Sequence, residues 1–365
     1  MTQYDKRNIS MMMDFYEMTM ANGYFMNGGK NTKVAFDVFY RRNPDGGGFA
    51  IFAGLEQVIE DVENMNFSEE DIEYFREQNL FSEDFLTYLS DFHFHGDIYA
   101  FPEGTVMYPN EPFMTVIADL IDAQLIETAI LAQVNHQSLI ATKARRIVRA
   151  ADGRLISDFG ARRAHNMDAA TYGSRAAFIG GVNGSATVSA GKMFGIPVNG
   201  TMAHSWVMYF KDEFEAFKRY AEVYPQATVL LVDTYDVVHS GIPNAIRVAK
   251  EILEPAGNRL KGVRIDSGDL AYLSKKIRKM LDDAGLNDCK IVASNSLDEF
   301  TINSLLSQGA AIDSFGVGER LITAKSEPVF GAVYKIVAVG ENDKFTPRIK
   351  VRSEERRVGK ECRSR

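Results

Sequence analysis

Cysteine is scarce in this chain, and long apolar runs are missing from its 365 residues. Cys289 and Cys362 form no CxxC pair, which argues against a disulfide framework and against a structural zinc site. No run approaches the roughly 20 apolar residues that a membrane helix needs. The N-terminus opens on polar and charged residues and lacks the layout of a signal peptide. These absences predict a cytoplasmic protein with no membrane partner.

An excess of positive charge is also lacking. The formal net charge is -8, whereas a nucleic-acid binder needs clustered Lys and Arg to contact phosphates. What the chain does have is 45% hydrophobic and 25% charged residues, the balance of a globular protein with a sizeable core. Its length allows two domains or one large barrel with additions.

The last fourteen residues, Arg352 to Arg365, differ from the rest because they are highly charged and almost free of apolar side chains. The string RSEERRVGKECRSR resembles a vector or read-through scar, so residues 352–365 are interpreted as a non-native tail. A natural basic tail is the alternative. Pro347 to Val351 looks like the start of a strand that is then cut off, so the domain that contains this strand is expected to lack some strands or helices.

Local patterns in the first 150 residues predict short strands and helices. Val34 to Arg42 alternates apolar and polar residues like a half-buried strand. Phe49 to Met65 has helical spacing, and Ser68 and Ser82 are typical helix N-caps before two short helices. Leu120 to Ala150 predicts one long helix that turns basic near its end.

A strand–helix rhythm runs through the remainder of the chain. Short apolar runs end in polar or glycine-containing segments: Ser157–Gly160, Gly200–His204, Val232–Thr234, Arg264–Asp269, Ala293–Ser296 and Phe315–Gly318. Six such units predict a parallel sheet with right-handed crossovers. Reactive side chains after each strand favour an α/β barrel, whose loops gather on one face. A doubly wound open sheet gives a similar pattern.

Six sequence segments, taken together and in order, carry a family resemblance. The chain resembles nicotinate phosphoribosyltransferases in DFYEMTM from Asp14, FDVFYRRNPDGGGFAIFAGLE from Phe36, SDFGARRAHNMDAA from Ser157, NGTMAHSW from Asn199, GVRIDSGDL from Gly262 and FGVGERLIT from Phe315. Any one of these segments alone is a weak signal.

The resemblance implies a type II phosphoribosyltransferase. It implies an irregular α/β barrel at residues 119–331 and a flanking α/β domain from both chain ends, residues 1–118 plus 332–351. It also implies a homodimer with shared active sites. The implied reaction converts nicotinate and phosphoribosyl pyrophosphate, with ATP hydrolysis and Mg²⁺, to nicotinate mononucleotide and pyrophosphate in NAD salvage.

Arg264 and Asp266 end one predicted strand, and alternation puts both on the same side. By resemblance Arg264 contacts nicotinate or the diphosphate, for which a planar guanidinium is suited, and Asp266 contacts the ribose hydroxyls. The alternative is a buried Arg–Asp pair that supports the barrel. Asp269 serves either magnesium or the helix that follows, with the cap favoured, so the aspartate that binds Mg²⁺ is left unassigned.

Two aromatic residues are candidates for stacking on the pyridine ring. The resemblance implies that Tyr16, from the neighbouring subunit, and Phe159 sandwich the ring. Without the motifs, each aromatic is more often a core residue. Asp14 opens the same motif as Tyr16 and is a candidate for substrate binding. Arg162 is a candidate for contact with the phosphoribosyl group.

The predicted phosphate contacts lie in glycine-containing turns. Gly316 and Gly318 leave backbone N–H groups free to cradle phosphate, and Ser294 and Asn295 end a neighbouring strand and add donors. Gly180 to Ser185 is a second such turn. Glu319 stands where relatives often have a small hydroxyl residue, and it is expected to point away from the phosphate.

His204 lies in the segment TMAHS. The resemblance implies that ATP phosphorylates this histidine, which couples hydrolysis to tighter binding of phosphoribosyl pyrophosphate. Thr201 precedes it by three residues and is a candidate for contact with nicotinate.

Three rival functions stay open at the level of sequence. One is a related enzyme that prefers nicotinamide or quinolinate. Another is a silent homologue that senses a nucleotide or pyridine, against which the presence of Arg264, Asp266 and His204 argues. The third is an unrelated barrel enzyme of sugar phosphates, which the TMAHS segment does not support.

Overall fold

The computed structural model describes residues 9–341 and 344–350. In this part of the chain the strands are β1 Lys33–Phe39, β2 Ala50–Ile51, β3 Gly96–Ala100, β4 Val106–Met107, β5 Met114–Asp119, β6 Leu155–Asp158, β7 Gly184–Ser185, β8 Val229–Leu231, β9 Gly262–Ile265, β10 Lys290–Ser294, β11 Ser314–Val317, β12 Val333–Glu341 and β13 Lys344–Pro347.

The α-helices of the same residues alternate with these strands. They are α1 Phe15–Met26, α2 Leu55–Glu63, α3 Glu69–Glu77, α4 Glu83–Ser90, α5 Leu120–Leu125, α6 Glu127–Ala150, α7 Met167–Ile179, α8 Val188–Phe194, α9 His204–Tyr209, α10 Glu213–Val223, α11 Ile242–Val248, α12 Leu270–Asp283, α13 Glu299–Ser307 and α14 Glu319–Ile322. Two π-helical turns, Val237–Gly241 and Ala249–Leu253, flank α11. No helix among the described residues is both long and apolar enough to cross a bilayer.

The described chain divides into two compact units, residues 9–136 with 329–350, and residues 137–328. The first unit contains an antiparallel sheet with the strand order β13-β12-β1-β5-β3. β12 pairs with β1, so segments from both ends of the chain share one sheet, as predicted. The alternating burial of β5 and the stacked rings of Phe36 and Tyr334, with centroids 4.5 Å apart, show that one face of this sheet packs into a core.

The predicted helix caps in this unit are confirmed, but one helix start is wrong. Ser68 forms a capping box with Asp71, and Ser82 accepts a hydrogen bond from the N–H of Phe85. The helix predicted from Phe49 begins only at Leu55, after the short strand β2. Glu103 explains the later start, because its Oε1 accepts from the N–H groups of Gly54 and Leu55, at 2.6 and 3.0 Å.

The helix predicted over Leu120 to Ala150 is interrupted once, at Ile126, which separates α5 from α6. His136, within α6, is the last residue of the first unit before the boundary between the two units. α6 therefore has its first ten residues in one unit and the remainder in the other.

The second unit contains a parallel sheet with the order β7-β6-β11-β10-β9-β8. Helices follow the strands and bury one face each. On α12 that face is formed by Leu270, Ala271, Ser274, Ile277 and Leu281, which have helical spacing. The α/β class and the parallel strand–helix units are thus confirmed.

One predicted strand is absent and another was missed. The apolar run before Gly200 contributes only an isolated parallel bridge from Val198 to Ser185. The strand that pairs with β6 at this side is instead β7, Gly184–Ser185, for which the sequence predicts part of a phosphate-binding turn. Gly184 is needed there because a Cβ would lie 2.6 Å from both Pro197 O and Asn199 Nδ2.

The segment from Val198 to His204 links the two edges of this sheet, as barrel closure requires. It starts at the bridge to β7, and its later residues contact Arg264 on β9 and Thr234 just after β8. The tail expected to be non-native, Arg352 to Arg365, lies outside the described residues.

Candidate active site

The register of the parallel strands gathers the candidate residues at one edge. Asp158 pairs with Val317, Ser294 with Gly316, and Ala293 with Ile265. The residues that follow these strands therefore emerge side by side at the carboxyl edge of the sheet, where ligands of α/β enzymes bind.

Asp266 lies at the centre of this edge. Its Oδ1 accepts a hydrogen bond from Ser294 Oγ, and its backbone N–H donates to Asp233 Oδ2 at 2.7 Å. Its Oδ2 lies 3.9 Å from His204 Nε2. Three residues predicted separately, Ser294, Asp266 and His204, are thus brought together.

His204 is the first residue of α9 and is partly exposed. Its Nδ1 lies 3.0 Å from Thr234 Oγ1, within hydrogen-bond distance. With Nδ1 occupied, Nε2 is the nitrogen turned towards Asp266. Thr201 is half-buried, and among the described residues its hydroxyl makes only a long contact of 3.4 Å to the carbonyl of Met202.

Arg264 is half-buried below the same edge. Its Nη2 donates to Met202 O at 2.9 Å, while its Nε is buried and has no hydrogen-bond partner among the described residues. Burial lowers the pKa of Arg264, and the carboxylates of Asp266 and Asp233 oppose this effect. A buried donor without a partner is costly, so it indicates a place for a ligand acceptor.

Phe159 follows β6, and its ring centroid lies 6.0 Å from the guanidinium carbon of Arg264. Its N–H donates to Val317 O at 2.8 Å. A Cβ on Gly316 would come within 2.4 Å of the Phe159 ring, and one on Gly318 within 3.2 Å of the Phe159 carbonyl. Gly316 therefore makes room for the aromatic ring, a reason for glycine that is independent of any phosphate.

Asn295 and Ser296 follow β10 in an unusual backbone conformation. Their φ angles are +86° and +50°, in the left-handed region that favours glycine. Both residues are exposed, and Ser296 Oγ donates to Asn295 Oδ1 at 3.1 Å. Two adjacent residues of this kind are typical of functional loops.

A surface cavity of about 330 Å³ lies beside the Phe159 turn and α14. It is lined by Arg163, His165, Glu319, Thr323, Lys325 and Pro328. Lys325 Nζ lies 2.6 Å from Glu319 Oε1 and lowers the pKa of that carboxyl. Arg162, in the adjacent 3₁₀ turn, is exposed and also lowers the pKa of Arg264 through its charge.

Asp14 and Tyr16 lie in the other unit, at the start of α1. The backbone N–H of Asp14 donates to Thr128 Oγ1 at 3.2 Å. The side chain of Tyr16 is 44% exposed, and burial together with the nearby charge of Glu127 raises the pKa of its phenol.

Three residues with clear contacts in the site are not among those predicted from the sequence. Asp233 accepts from Asp266 and from Ser267 Oγ, Thr234 contacts His204, and Asp158 is fully buried below Phe159. Their position in the sequence could have identified them, since all three lie at the ends of predicted strands. Asp269 caps α12 through the N–H of Tyr272, as predicted.

The fold and this edge define an α/β enzyme with an arginine, a carboxylate and a histidine gathered at the ends of parallel strands. The profile of the nicotinate phosphoribosyltransferase N-terminal domain matches residues 11–135, and the profile of the nicotinate phosphoribosyltransferase family matches residues 155–350. The chain belongs to the nicotinate phosphoribosyltransferase family.

Individual relatives agree with the profiles. The chain is 50% identical over 353 residues to nicotinate phosphoribosyltransferase of Bacillus subtilis, covering 96% of this chain and 71% of the relative. It is 45% identical over 331 residues to an enzyme of that name from Mycobacterium tuberculosis, covering 90% and 70%. The crystal structure of human nicotinic acid phosphoribosyltransferase superposes with a TM-score of 0.82 at 31% identity, covering 93% of this chain and 76% of that one.

Proposed function

We propose that the chain transfers the phosphoribosyl group of phosphoribosyl pyrophosphate to nicotinate, forming nicotinate mononucleotide and pyrophosphate. The observation that carries this proposal is the convergence of Arg264, Asp266 and His204 at one edge of the parallel sheet in a member of this family. The product is a precursor of NAD, so the reaction belongs to salvage of the pyridine ring.

The chemistry needs stabilisation of charge and no protein nucleophile. The pyridine nitrogen forms a bond to the anomeric carbon as the bond to pyrophosphate breaks, through a state with positive charge on the ribose. Arg264 has a donor to spare, its buried Nε, for the nicotinate carboxylate or the diphosphate. Asp266, whose Oδ2 accepts no hydrogen bond from a described residue, accepts from the ribose hydroxyls and stabilises the developing positive charge.

The pyridine ring is held by aromatic faces in this proposal. Phe159 offers one face beside Arg264, and Tyr16 of a second subunit offers the other. Arg162 contacts the phosphoribosyl group, Thr201 contacts nicotinate, and Asp14 supports binding next to Tyr16. The role of Phe159 is supported by the distance of 6.0 Å between its ring centroid and the guanidinium carbon of Arg264.

The phosphates are bound at the neighbouring strand ends. Gly316 and Gly318 border the turn before α14, and Ser294 and Asn295 border the strained turn after β10. Arg163 and Lys325 in the adjacent cavity supply positive charge. The ion pair of Lys325 with Glu319 keeps that carboxylate from repelling the substrate.

Magnesium fits this site as an ion shared with the substrate. The described residues contain no group of three His, Cys, Asp or Glu side chains that would hold a metal alone, and Mg²⁺ typically takes one or two carboxylates plus substrate phosphates. Asp266 is the carboxylate we assign to it, because its Oδ2 is bonded to no described residue and is the oxygen that faces His204. When bound, Mg²⁺ neutralises charge on the leaving diphosphate.

ATP is proposed as a co-substrate that phosphorylates His204. If the Nδ1–H of His204 donates to Thr234 Oγ1, the lone pair on Nε2 is free to attack the γ-phosphorus, and ADP leaves. The phosphoryl group then lies beside Asp266, so the two negative groups need a cation between them. This arrangement links ATP hydrolysis to tighter binding of phosphoribosyl pyrophosphate with its magnesium.

A homodimer with shared active sites is the assembly we propose. Met12, Phe15, Tyr16 and Met20 expose 65%, 49%, 44% and 38% of their surfaces around α1, a concentration of apolar area typical of an interface. Co-expression of Tyr16→Ala and Asp266→Ala chains tests sharing, because a mixed dimer rebuilds one intact site. Random pairing restores about a quarter of wild-type activity, whereas sites confined to one subunit restore none.

The decisive experiment for the activity compares nicotinate, nicotinamide and quinolinate, each with phosphoribosyl pyrophosphate and Mg²⁺, with and without ATP. We expect formation of nicotinate mononucleotide, stimulated by ATP. Faster turnover of nicotinamide or quinolinate would overturn the substrate assignment, and absence of any transfer would overturn the activity.

A further inference from the structure

Asp158 is a carboxylate with no exposed surface that lies directly before Phe159. Its Oδ1 accepts from the N–H of Gly160 at 2.8 Å. Its Oδ2 accepts from the hydroxyls of Ser174 and Ser185, at 2.7 and 2.8 Å. The donors that face both oxygens are therefore neutral, and burial raises the pKa of this carboxyl.

These hydrogen bonds join four segments of the second unit. Asp158 ends β6, Ser174 lies on α7, Ser185 ends β7, and Thr187 precedes α8. The hydroxyl of Ser174 is also 2.8 Å from Thr187 Oγ1, and Ser185 Oγ accepts from the Thr187 N–H at 2.9 Å. The backbone takes part too, since Asp158 O accepts from the N–H of Ala186 at 2.8 Å.

The same network fixes the backbone on both sides of Phe159. The N–H of Phe159 is held by Val317 O, and the N–H of the next residue, Gly160, is held by Asp158 Oδ1. Gly160 lies close against α14: a Cβ at that position would lie 2.5 Å from Ile322 Cβ, so a larger residue would displace this turn. These contacts hold the backbone that carries the Phe159 ring, which lies against Gly316 and 6.0 Å from the Arg264 guanidinium carbon.

A carboxylate of this kind is costly to bury, and simple packing does not need it. We propose that Asp158 is a positioning residue: it holds Phe159 in the orientation that receives the pyridine ring, and so sets the affinity for the pyridine carboxylic acid. This inference rests on the proposed function, because it deepens the role of Phe159 in that site. Asp158 itself does not touch the substrate.

Asp158→Asn is the direct test, because it keeps the shape and removes the charge and one acceptor. We expect KM for nicotinate to rise about tenfold, the equivalent of one lost hydrogen bond to a charged group. KM for phosphoribosyl pyrophosphate should change little. A merely structural role predicts instead a lower melting temperature with both KM values unchanged.

A double-mutant cycle with Phe159→Ala separates positioning from a general loss of order. If Asp158 acts through Phe159, Asp158→Asn adds nothing to KM for nicotinate once the ring is gone. Additive effects of the two changes would overturn the proposal. So would an unchanged KM for nicotinate in Phe159→Ala.

Ser174→Ala is a milder variant in case Asp158→Asn does not fold. It removes one donor to Asp158 from α7, and we expect a smaller rise in KM for nicotinate, about two- to fivefold, that also disappears with Phe159→Ala. The matched control is Thr171→Ala on the same helix. Thr171 is equally buried, but its hydroxyl lies 2.8 Å from Ser189 Oγ and is not bonded to Asp158.

Thr171→Ala should lower the melting temperature without changing KM for nicotinate. Equal rises in this KM for Ser174→Ala and Thr171→Ala would overturn the role of Asp158. These outcomes differ from the result expected if the proposed function is wrong, because wild-type protein would then form no nicotinate mononucleotide at all.

Discussion

His204 Nε2 lies 3.9 Å from Asp266 Oδ2, and the two residues come from segments about sixty positions apart in the chain. A phosphoryl group on Nε2 would lie close to this carboxylate, and the two negative charges would repel each other unless a cation lies near them or the carboxylate moves. In the proposed mechanism this proximity connects ATP and phosphoribosyl pyrophosphate through charge. In the proposed mechanism, phosphorylation of His204 increases the need for a cation at Asp266, and the Mg²⁺ bound to phosphoribosyl pyrophosphate would supply it.

Replacement of His204 separates ATP hydrolysis from transfer. We expect His204→Ala to abolish ATP hydrolysis and the incorporation of γ-phosphate into the protein. Transfer should persist slowly at high phosphoribosyl pyrophosphate, because the ring nitrogen needs no protein nucleophile. The measurement is the two rates side by side. His239→Ala is the control, since this exposed histidine pairs with Asp236. Transfer that stops while hydrolysis continues would place His204 at the pyridine or the leaving group.

Thr234 contacts the imidazole of His204. Its hydroxyl should therefore affect ATP hydrolysis and its coupling to transfer, and should have little effect on the binding of nicotinate. Thr234→Val keeps the shape and removes the partner of Nδ1, which lies 3.0 Å away. The net value of such a hydrogen bond is about 1 kcal/mol, so we expect ATP hydrolysis to slow about fivefold. KM for nicotinate should stay as in wild type. An unchanged rate of hydrolysis would show that Thr234 does not hold the reactive tautomer.

The sequence predicted the strand ends well and their mutual contacts poorly. Arg264 and Asp266 were assigned to one side of a strand because alternation is local. The contact of His204 with Thr234 joins residues 30 positions apart. It depends on how the sheet closes, and a local sequence pattern does not predict that closure. β7 was missed since a strand of two residues is too short to show a period.

Glycine at position 316 shows a different limit of sequence reasoning. A glycine-rich turn predicts a phosphate cradle, but the same residue also makes space for the Phe159 ring. Both requirements select glycine at this position, so the sequence alone does not distinguish between them. The role of Gly316 in phosphate binding stays a prediction, whereas its contact with Phe159 is a feature of the structure.

Stability should depend on pH through Glu17, which has no exposed surface. Burial raises the pKa of its carboxyl from 4.5 to about 7; Glu127 adds to this shift, and the hydrogen bond from Thr128 opposes it. The folded chain therefore keeps a proton that the unfolded chain loses between these two values. The stabilisation by protonated Glu17 is complete below about pH 4.5 and is lost as the pH rises to about 7.

Glu17→Gln removes this dependence because the amide stays neutral at every pH. We expect the free energy of unfolding of the variant, relative to wild type, to increase by about 1–3 kcal/mol between about pH 5 and pH 8. Urea unfolding at several pH values measures it. Glu63→Gln, at an exposed position on α2, is the control and should show no such trend. A constant difference between Glu17→Gln and wild type would contradict the raised pKa.

The ion pair of Lys325 with Glu319 lies in the cavity beside the turn that we assign to phosphate. Both side chains are well exposed, so the pair contributes little to stability. Its effect should be on binding. Lys325→Ala removes the ion-pair partner of the Glu319 carboxylate, and we expect KM for phosphoribosyl pyrophosphate to rise about three- to tenfold at low salt.

Removal of the carboxylate as well should reverse that change. Glu319→Gln with Lys325→Ala is expected to recover most of the affinity, since the repelling charge is then gone. The control is Lys279→Ala, which breaks an exposed pair with Asp283 at 2.8 Å on α12 and should leave KM unchanged. If Lys325→Ala raises KM and the double variant raises it as much, Lys325 contacts the phosphate directly and does not act by neutralising Glu319. If neither variant changes KM, the cavity takes no part in binding the substrate, and the phosphates are held by the strand-end turns alone.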